Sequence, residues 1–363
     1  MYDILISGYY GFKNSGDDAI LMAILDNLRA YKSDIKILVL SKNPQETQRI
    51  YGVDTADRYN FNEIIKAMKS SKLFLTGGGN LIQDETSTRS LMYYLATIWL
   101  AKKLGLKVML YSNGIGAIDK KVNRLITSRI VNKVDVITLR EEKSLKEIES
   151  LKITKPQVFV TADPAFTLMS CEDEETSSIL AAEGIVKDKP LVGISVRKWK
   201  NLQGYLKQVA EASDYMYEKY NVQPVFIPMH YPHDIDVCLT IATMMKHKPK
   251  IIKNKYSVSQ TLGIIKNMDM IIGMRLHALI YAASFQVPVL GLIYDPKVEG
   301  FLEYIKQPSA GNVEALNYER FIQSIDGVWN NRQQIKEQLK ASKHLFVDKA
   351  LRNAEIAVEL LNK

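Results

Sequence analysis

Short runs of apolar and β-branched residues alternate along this chain with longer segments in which apolar positions recur every three or four residues. In the first half the strand-like runs are Asp3 to Ser7, Ile35 to Leu40, Lys72 to Thr76, Lys107 to Tyr111, Asp135 to Leu139 and Gln157 to Val160. The helical period covers Asp17 to Tyr31, Gln45 to Tyr51, Asn62 to Met68, Thr88 to Leu104, Asp119 to Asn132 and Glu141 to Ser150. Alternation of this kind implies parallel strands joined by crossover helices.

The polar stretch from Ser170 to Ser178 interrupts the pattern and reads as the approach to a linker. A second series follows, with strands expected at Pro190 to Ser195, Gln223 to Pro228, Ile251 to Ile252, Met270 to Ile272 and Val287 to Leu292. The expected architecture is therefore α/β, with two Rossmann-like domains, 1–170 and 171–363, facing each other across a cleft. Open sheets of this type bind ligands at the carboxyl ends of their strands, so the loops after each strand should line that cleft. The charged helical tail from about Tyr318 to Lys363 either completes the second domain or packs back on the first.

Composition narrows the chemistry. At 363 residues and 47% hydrophobic, the chain is too long for one ordinary core. A net charge of +8 suits a phosphorylated substrate, an anionic membrane surface or nucleic acid. The last is disfavoured because no basic cluster is interleaved with aromatic residues. Two cysteines, Cys171 and Cys238, give neither a disulfide framework nor paired metal-ligand spacing. Met1-Tyr2-Asp3 runs straight into a strand without a signal-like segment, and the apolar run Leu91 to Ala101 stops at Lys102-Lys103, short of the ~20 residues of a bilayer span. A cytoplasmic setting is expected.

Four strand-to-helix connections carry candidate chemistry. The first runs from Gly8 to Ala19, where three glycines allow close backbone approach to a ligand. Its spacing matches neither the dinucleotide fingerprint nor a phosphate loop, which disfavours NAD and ATP; Ser15 or Asp17 could equally cap the helix. The second, Gly77-Gly78-Gly79-Asn80-Leu81-Ile82-Gln83-Asp84, offers free N–H groups to an oxyanion or sugar hydroxyl. The third is Arg140, an anion ligand or a helix-start ion pair with Glu141 and Glu142. The fourth joins Gly273-Met274-Arg275-Leu276-His277 to Lys297. There a cation and an imidazole sit beside unpaired N–H groups in the first turn of a helix, and a phosphate site is favoured. His230 and His233 flank a proline with no third ligand, so a turn is favoured over a metal site, and His230 follows a strand closely enough to touch a ligand.

The segments Gly8 to Ala19, Gly77 to Asp84 and Gly273 to Ala278 occur in the order seen in polysaccharide pyruvyl transferases. The chain resembles that family, more narrowly its CsaB type, from Met1 to about Lys297. The resemblance implies a GT-B-like fold and transfer of a pyruvyl group from phosphoenolpyruvate to two hydroxyls of one sugar, forming a cyclic ketal and releasing phosphate. It implies a terminal β-N-acetylmannosamine on a lipid-linked wall-polymer precursor as acceptor, a ketal later recognised by S-layer proteins, and neither metal nor organic cofactor. Contact with the inner face of the membrane is a further expectation.

By the same resemblance, Arg140, His277 and Lys297 align with residues associated with phosphoenolpyruvate. His277 is expected to act as the general acid or the partner of the leaving phosphate, while Arg140 and Lys297 hold the donor's anions and Arg275 acts beside them or braces the loop. Asp17, Asp18 and Asp84 are candidates for the base or for gripping sugar hydroxyls, with helix-capping and structural roles accounting equally well for Asp17 and Asp84. Asn14, Gly77, Gly78, Gly79, Asn80 and His230 complete the substrate-binding set. A sugar-nucleotide glycosyltransferase would share the fold and the glycine loops, and a non-catalytic glycan- or phosphate-binding module could use the same cations.

Overall fold

A computed structural model describes residues 1–85, 87–200 and 202–363. The chain divides into two compact units, Met1–Leu168 with Leu345–Lys363, and Met169–His344. Among the described residues no helix is long and apolar enough to cross a membrane.

The first unit contains strands β1 (Tyr2–Ser7), β2 (Ile37–Ser41), β3 (Asp54–Asp57), β4 (Ser71–Ile82), β5 (Lys107–Ile115), β6 (Val136–Leu139) and β7 (Gln157–Val160). Its helices are α1 (Ser15–Tyr31), α2 (Pro44–Tyr51), α3 (Phe61–Lys69), α4 (Thr88–Lys103), α5 (Lys121–Val131) and α6 (Lys143–Ser150). The strands form one parallel sheet in the order β3-β2-β1-β4-β5-β6-β7. The order reverses between β1 and β4, which parts the following loops and opens a ligand-sized crevice in folds of this kind.

Both faces of a parallel sheet must be covered. On one face Leu5, Phe74, Val108, Leu110 and Ile137 pack with Ile64 and Met68 of α3 and with Leu91, Leu95 and Ile98 of α4. On the other, Ile4, Ile6, Leu73, Leu75, Met109 and Tyr111 pack with Ile20, Leu21 and Ile24 of α1 and with Ala354, Ile356, Ala357 and Leu360 from the end of the chain. The tail left open by the sequence thus returns to the first unit. Asn353, fully buried, accepts from Thr161 Oγ1 at 2.8 Å and donates to the carbonyl of Ala162 at 3.1 Å. Of the two placements the sequence left open for the tail, this is the second: apolar positions on the last helix complete a face that α1 and α2 leave bare.

The second unit contains α7 (Asp173–Ala182), strands β8 (Leu191–Ser195), β9 (Gln223–Phe226), β10 (Lys250–Ile251), β11 (Met270–Gly273), β12 (Val289–Ile293) and β13 (Ser309–Asn312), and helices α8 (Gly204–Tyr220), α9 (His233–Met244), α10 (Val258–Lys266), α11 (Leu276–Ser284), α12 (Pro296–Tyr304) and α13 (Tyr318–Asn330). Helix α14 (Arg332–Asn362) begins in this unit and ends in the first. The six strands are parallel in the order β10-β9-β8-β11-β12-β13, with the reversal between β8 and β11.

The acidic stretch expected near a linker is mostly helix. Asp173, Glu174 and Glu175 form the first turn of α7, where carboxylates meet the positive end of the helix dipole. The triple glycine, expected in a loop, lies inside β4. Pairing with β5 continues through Gly77 opposite Tyr111 and Gly79 opposite Asn113, even though Gly78 and Gly79 have φ of 65° and 79°.

Replacing Asn353 by Ala is expected to lower the unfolding free energy of the first unit by about 1–3 kcal/mol, because buried partners lose their hydrogen bonds. Urea unfolding followed by a probe within that unit checks this, and an unchanged midpoint would mean that the tail is not held there in solution.

Candidate functional site

In the first unit, the Gly8-to-Ala19 connection and the end of β4 meet at the point where the strand order reverses. Asn14 caps α1 by accepting from the N–H of Gly16 at 3.2 Å. Asp17 and Asp18 occupy the first turn of that helix, half-buried. Tyr10, 1% exposed, donates its hydroxyl to the carbonyl of Gly77 at 2.6 Å. A Cβ on Gly77 would lie 2.1 Å from that hydroxyl oxygen, so the contact requires glycine. Asp17 Oδ1 lies 3.6 Å from where a Cβ of Gly79 would stand, which places this carboxylate over the end of β4. Asn80 follows directly, and its Oδ1 is buried without a hydrogen-bond partner among the described residues.

Arg58 belongs to this group, although nothing in the sequence singled it out. It follows β3 and is 5% exposed. Its guanidinium donates to the carbonyl of Gly8 at 2.6 Å and lies 4.5 Å from the ring of Tyr93, 5.2 Å from Phe12, 5.5 Å from Tyr59 and 5.7 Å from Tyr94. Among the described residues no carboxylate pairs with it. Burying an unpaired cation is costly, and here aromatic faces offset the loss of water. No local pattern marks it, because only the fold brings Phe12, Tyr59 and Tyr93 together around it.

Two residues expected at this edge stand elsewhere or are differently engaged. Asp84 accepts from the backbone N–H groups of Asp119 at 3.0 Å and Lys120 at 3.3 Å, and from Asn123 Nδ2 at 2.6 Å. Burial raises its pKa, but these donors outweigh it and hold the carboxyl below its ordinary value. It fastens the connection leading into α5, the structural role that the sequence left open beside base chemistry and sugar binding. Arg140 is 4% exposed and bonded to Glu141 at 2.9 Å and Asp163 at 3.1 Å. Burial would lower its pKa, yet the two carboxylates raise it. Arg140 is thus a buried ion pair at the end of β6, bonded to Asp163 as well as to Glu141.

In the second unit, Arg275 occupies the N-cap position of α11 without a side-chain capping bond and His277 lies in the first turn, its ring 6.1 Å from Tyr281. Arg275 binds Asp234 through both nitrogens of its fork, with Nε at 2.9 Å from Oδ2 and Nη2 on Oδ1. Asp234, 1% exposed, also accepts from the backbone N–H groups of Met229 and His230. Arg275 therefore braces the loop after β9 against the loop after β11. His230 and His233 meet edge to face at 4.8 Å. Lys297 follows the neighbouring strand β12, with Nζ 2.9 Å from Asp295 and 5.5 Å from the ring of Tyr294.

A cavity of about 630 Å³ opens at the carboxyl ends of β8, β9 and β11. Arg197, His230, His233, Asp234 and Arg275 line it, and its apolar wall includes Leu202, Leu206 and Val237. Arg197 and its neighbours Lys198 and Lys200 were not foreseen: a basic residue in an otherwise unremarked loop carries no local motif.

Two parallel sheets with reversed order, each presenting glycine turns or cations at its carboxyl edge, define a two-domain Rossmann-like protein of the GT-B type. Solved structures share this fold. The UDP co-structure of MnaA from S. aureus superposes with a TM-score of 0.71 over 99% of this chain and 98% of that one, at 15% identity. A glycosyltransferase from Rickettsia africae gives 0.67 over 100% and 99%, at 12% identity. By sequence, residues 14–296 match the polysaccharide pyruvyl transferase family, and the chain belongs to that family. The amylovoran biosynthesis protein AmsJ of Erwinia amylovora is 22% identical, over 93% of this chain and 94% of AmsJ.

Asp84→Asn is expected to cost about 1–3 kcal/mol of stability near neutral pH. A carboxyl whose folded pKa lies below its unfolded value stabilises above about pH 4 and loses that contribution as pH falls through the folded value. The gap between native and variant should therefore narrow on acidification, which denaturant titrations at several pH values would measure. Gly77→Ala should displace Tyr10 and lower the thermal midpoint, while Tyr10→Phe should cost only about 1 kcal/mol; equal midpoints for Gly77→Ala and the native chain would contradict the close contact.

Proposed function

We propose that this protein transfers the pyruvyl group of phosphoenolpyruvate to two hydroxyls of one sugar in a polysaccharide precursor, closing a cyclic ketal and releasing phosphate. The observation that carries this proposal is the family match from 14 to 296, a span that includes Asn14, the end of β4, Arg140 and the Arg275-His277 turn. The similarity to an amylovoran biosynthesis protein supports the acceptor class. We further propose the CsaB-type acceptor, a terminal β-N-acetylmannosamine on a lipid-linked carrier, bridged at O4 and O6. Work at the inner face of the membrane would follow from such a carrier, with the net charge of +8 favouring anionic headgroups.

In this mechanism His277 protonates the methylene carbon as the first sugar oxygen attacks C2 of the donor. A base takes the proton from that hydroxyl, for which Asp17 and Asp18 are the candidates. The C2–O bond to phosphate then breaks, the phosphate carries off the bonding pair, and the second hydroxyl closes the ring after losing its proton. Lys297 and Arg140 hold the donor's carboxylate and phosphate by exchanging a protein carboxylate for a ligand oxygen. That exchange is easier for Lys297, whose side chain is 22% exposed, than for Arg140 at 3%. Asn80 Oδ1, which has no hydrogen-bond partner among the described residues, is the acceptor for a sugar hydroxyl in this reading.

The test is acceptor-dependent release of phosphate from phosphoenolpyruvate, with a matching gain of one pyruvyl group in the saccharide. His277→Ala should reduce turnover by about 10²–10⁴-fold, as expected for removal of a general acid. A second reading, transfer from a sugar nucleotide, draws on the fold shared with the UDP-bound MnaA structure. Release of UDP from a sugar nucleotide, without phosphate release from phosphoenolpyruvate, would replace the first reading with the second.

A further inference from the structure

The cations described above differ in how their charge is balanced. Arg275 is matched by Asp234, Lys297 by Asp295 and Arg140 by Glu141 and Asp163. Arg197 has no carboxylate partner among the described residues. Its Nε is buried without a hydrogen bond, and Nη1 donates to the hydroxyl of Tyr294 at 3.3 Å. The guanidinium lies 5.0 Å from the ring of Tyr294 and 5.7 Å from that of Trp199, and these two rings meet edge to face at 4.9 Å. Tyr205, 2% exposed, donates to the Arg197 carbonyl at 2.6 Å and fixes the backbone below. The result is a preorganised planar fork with unspent charge, placed directly after β8 where the strand order reverses. A weakly hydrated guanidinium held this way suits bidentate binding of phosphate oxygens.

The cavity in front of it is too large for the donor alone. About 630 Å³ falls within the range that encloses a drug-sized ligand, whereas phosphoenolpyruvate is a three-carbon phosphate. Neither His277 nor Lys297 lines the cavity. Its lining includes four basic residues, Arg197, Lys198, Lys200 and Arg275, against the two acids Asp234 and Asp236, an excess of two positive charges with the histidines neutral. Apolar residues form the remaining wall.

We infer that Arg197 and this cavity bind a diphosphate borne by the saccharide acceptor, separately from the donor phosphate. The inference rests on the pyruvyl-transfer reading for the identity of the saccharide, but the anion site can be tested without turnover. Calorimetric titration with inorganic diphosphate should show binding to the native protein that saturating phosphoenolpyruvate does not displace. Arg197→Gln should weaken it about ten-fold or more, and Arg197→Lys, which keeps the charge but loses the fork, by less.

Thermal midpoints establish that each variant is folded; if the Gln variant is not, the Lys variant carries the comparison. Unchanged affinity in a folded Gln variant, or displacement by phosphoenolpyruvate, would overturn the inference. Competition by UDP and by geranyl diphosphate then separates a nucleotide carrier from a lipid carrier. Diphosphate binding that depends on Arg197, in a protein that transfers no pyruvyl group, would leave the cavity standing and remove only the reaction. Active transfer with diphosphate binding indifferent to Arg197 would do the reverse.

Discussion

A parallel sheet must be buried on both faces, and this requirement organises each unit of the protein. Because every crossover helix lies against a face, the strand ends and their following loops emerge together at one edge. The reversal of order between β1 and β4, and again between β8 and β11, parts those loops. Candidate groups from distant parts of the sequence therefore gather without any local motif joining them. The same requirement recruits the chain terminus: Ala354, Ile356, Ala357 and Leu360 fill the face beside α1 that no earlier helix covers.

The arrangement of charge separates bracing from binding. A guanidinium shared with a buried carboxylate, as in Arg275 with Asp234, resists displacement because either partner left alone would carry a large desolvation cost. Such a pair fixes the loops after β9 and β11. Arg58 and Arg197 instead meet aromatic faces and carbonyl or hydroxyl oxygens. Rings soften the cost of burial without cancelling the charge. Arg58, almost fully enclosed, holds the Gly8 turn, whereas Arg197 faces a cavity and keeps its charge available to an anion.

Much of the fold was legible because interior parallel strands are apolar throughout. The residues of β1, β6, β8 and β11 fall within a residue or so of their expected ranges. The strands that escaped notice, Asp54–Asp57 and Ser309–Asn312, lie at sheet edges and contain only polar, small or acidic residues. Their conformation comes from pairing with β2 and β12, so periodicity could not reveal them. The triple glycine misled in the opposite direction: glycine suggests a turn, yet pairing with β5 carries β4 through it.

By itself the sequence determined the alternation of strands and helices, and the order of the family motifs. It also placed Asn14, Asp17, Arg275, His277 and Lys297 just beyond strand ends, since these depend on local pattern and chain order. Only the tertiary structure decided that Asp84 fastens a connection, that Arg140 is enclosed by two carboxylates, that Arg58 and Arg197 have aromatic neighbours in place of acids, and that the tail returns to the first unit. Those outcomes depend on partners tens or hundreds of residues away, and on which oxygens reach a charge once water has been excluded, quantities that no stretch of sequence contains.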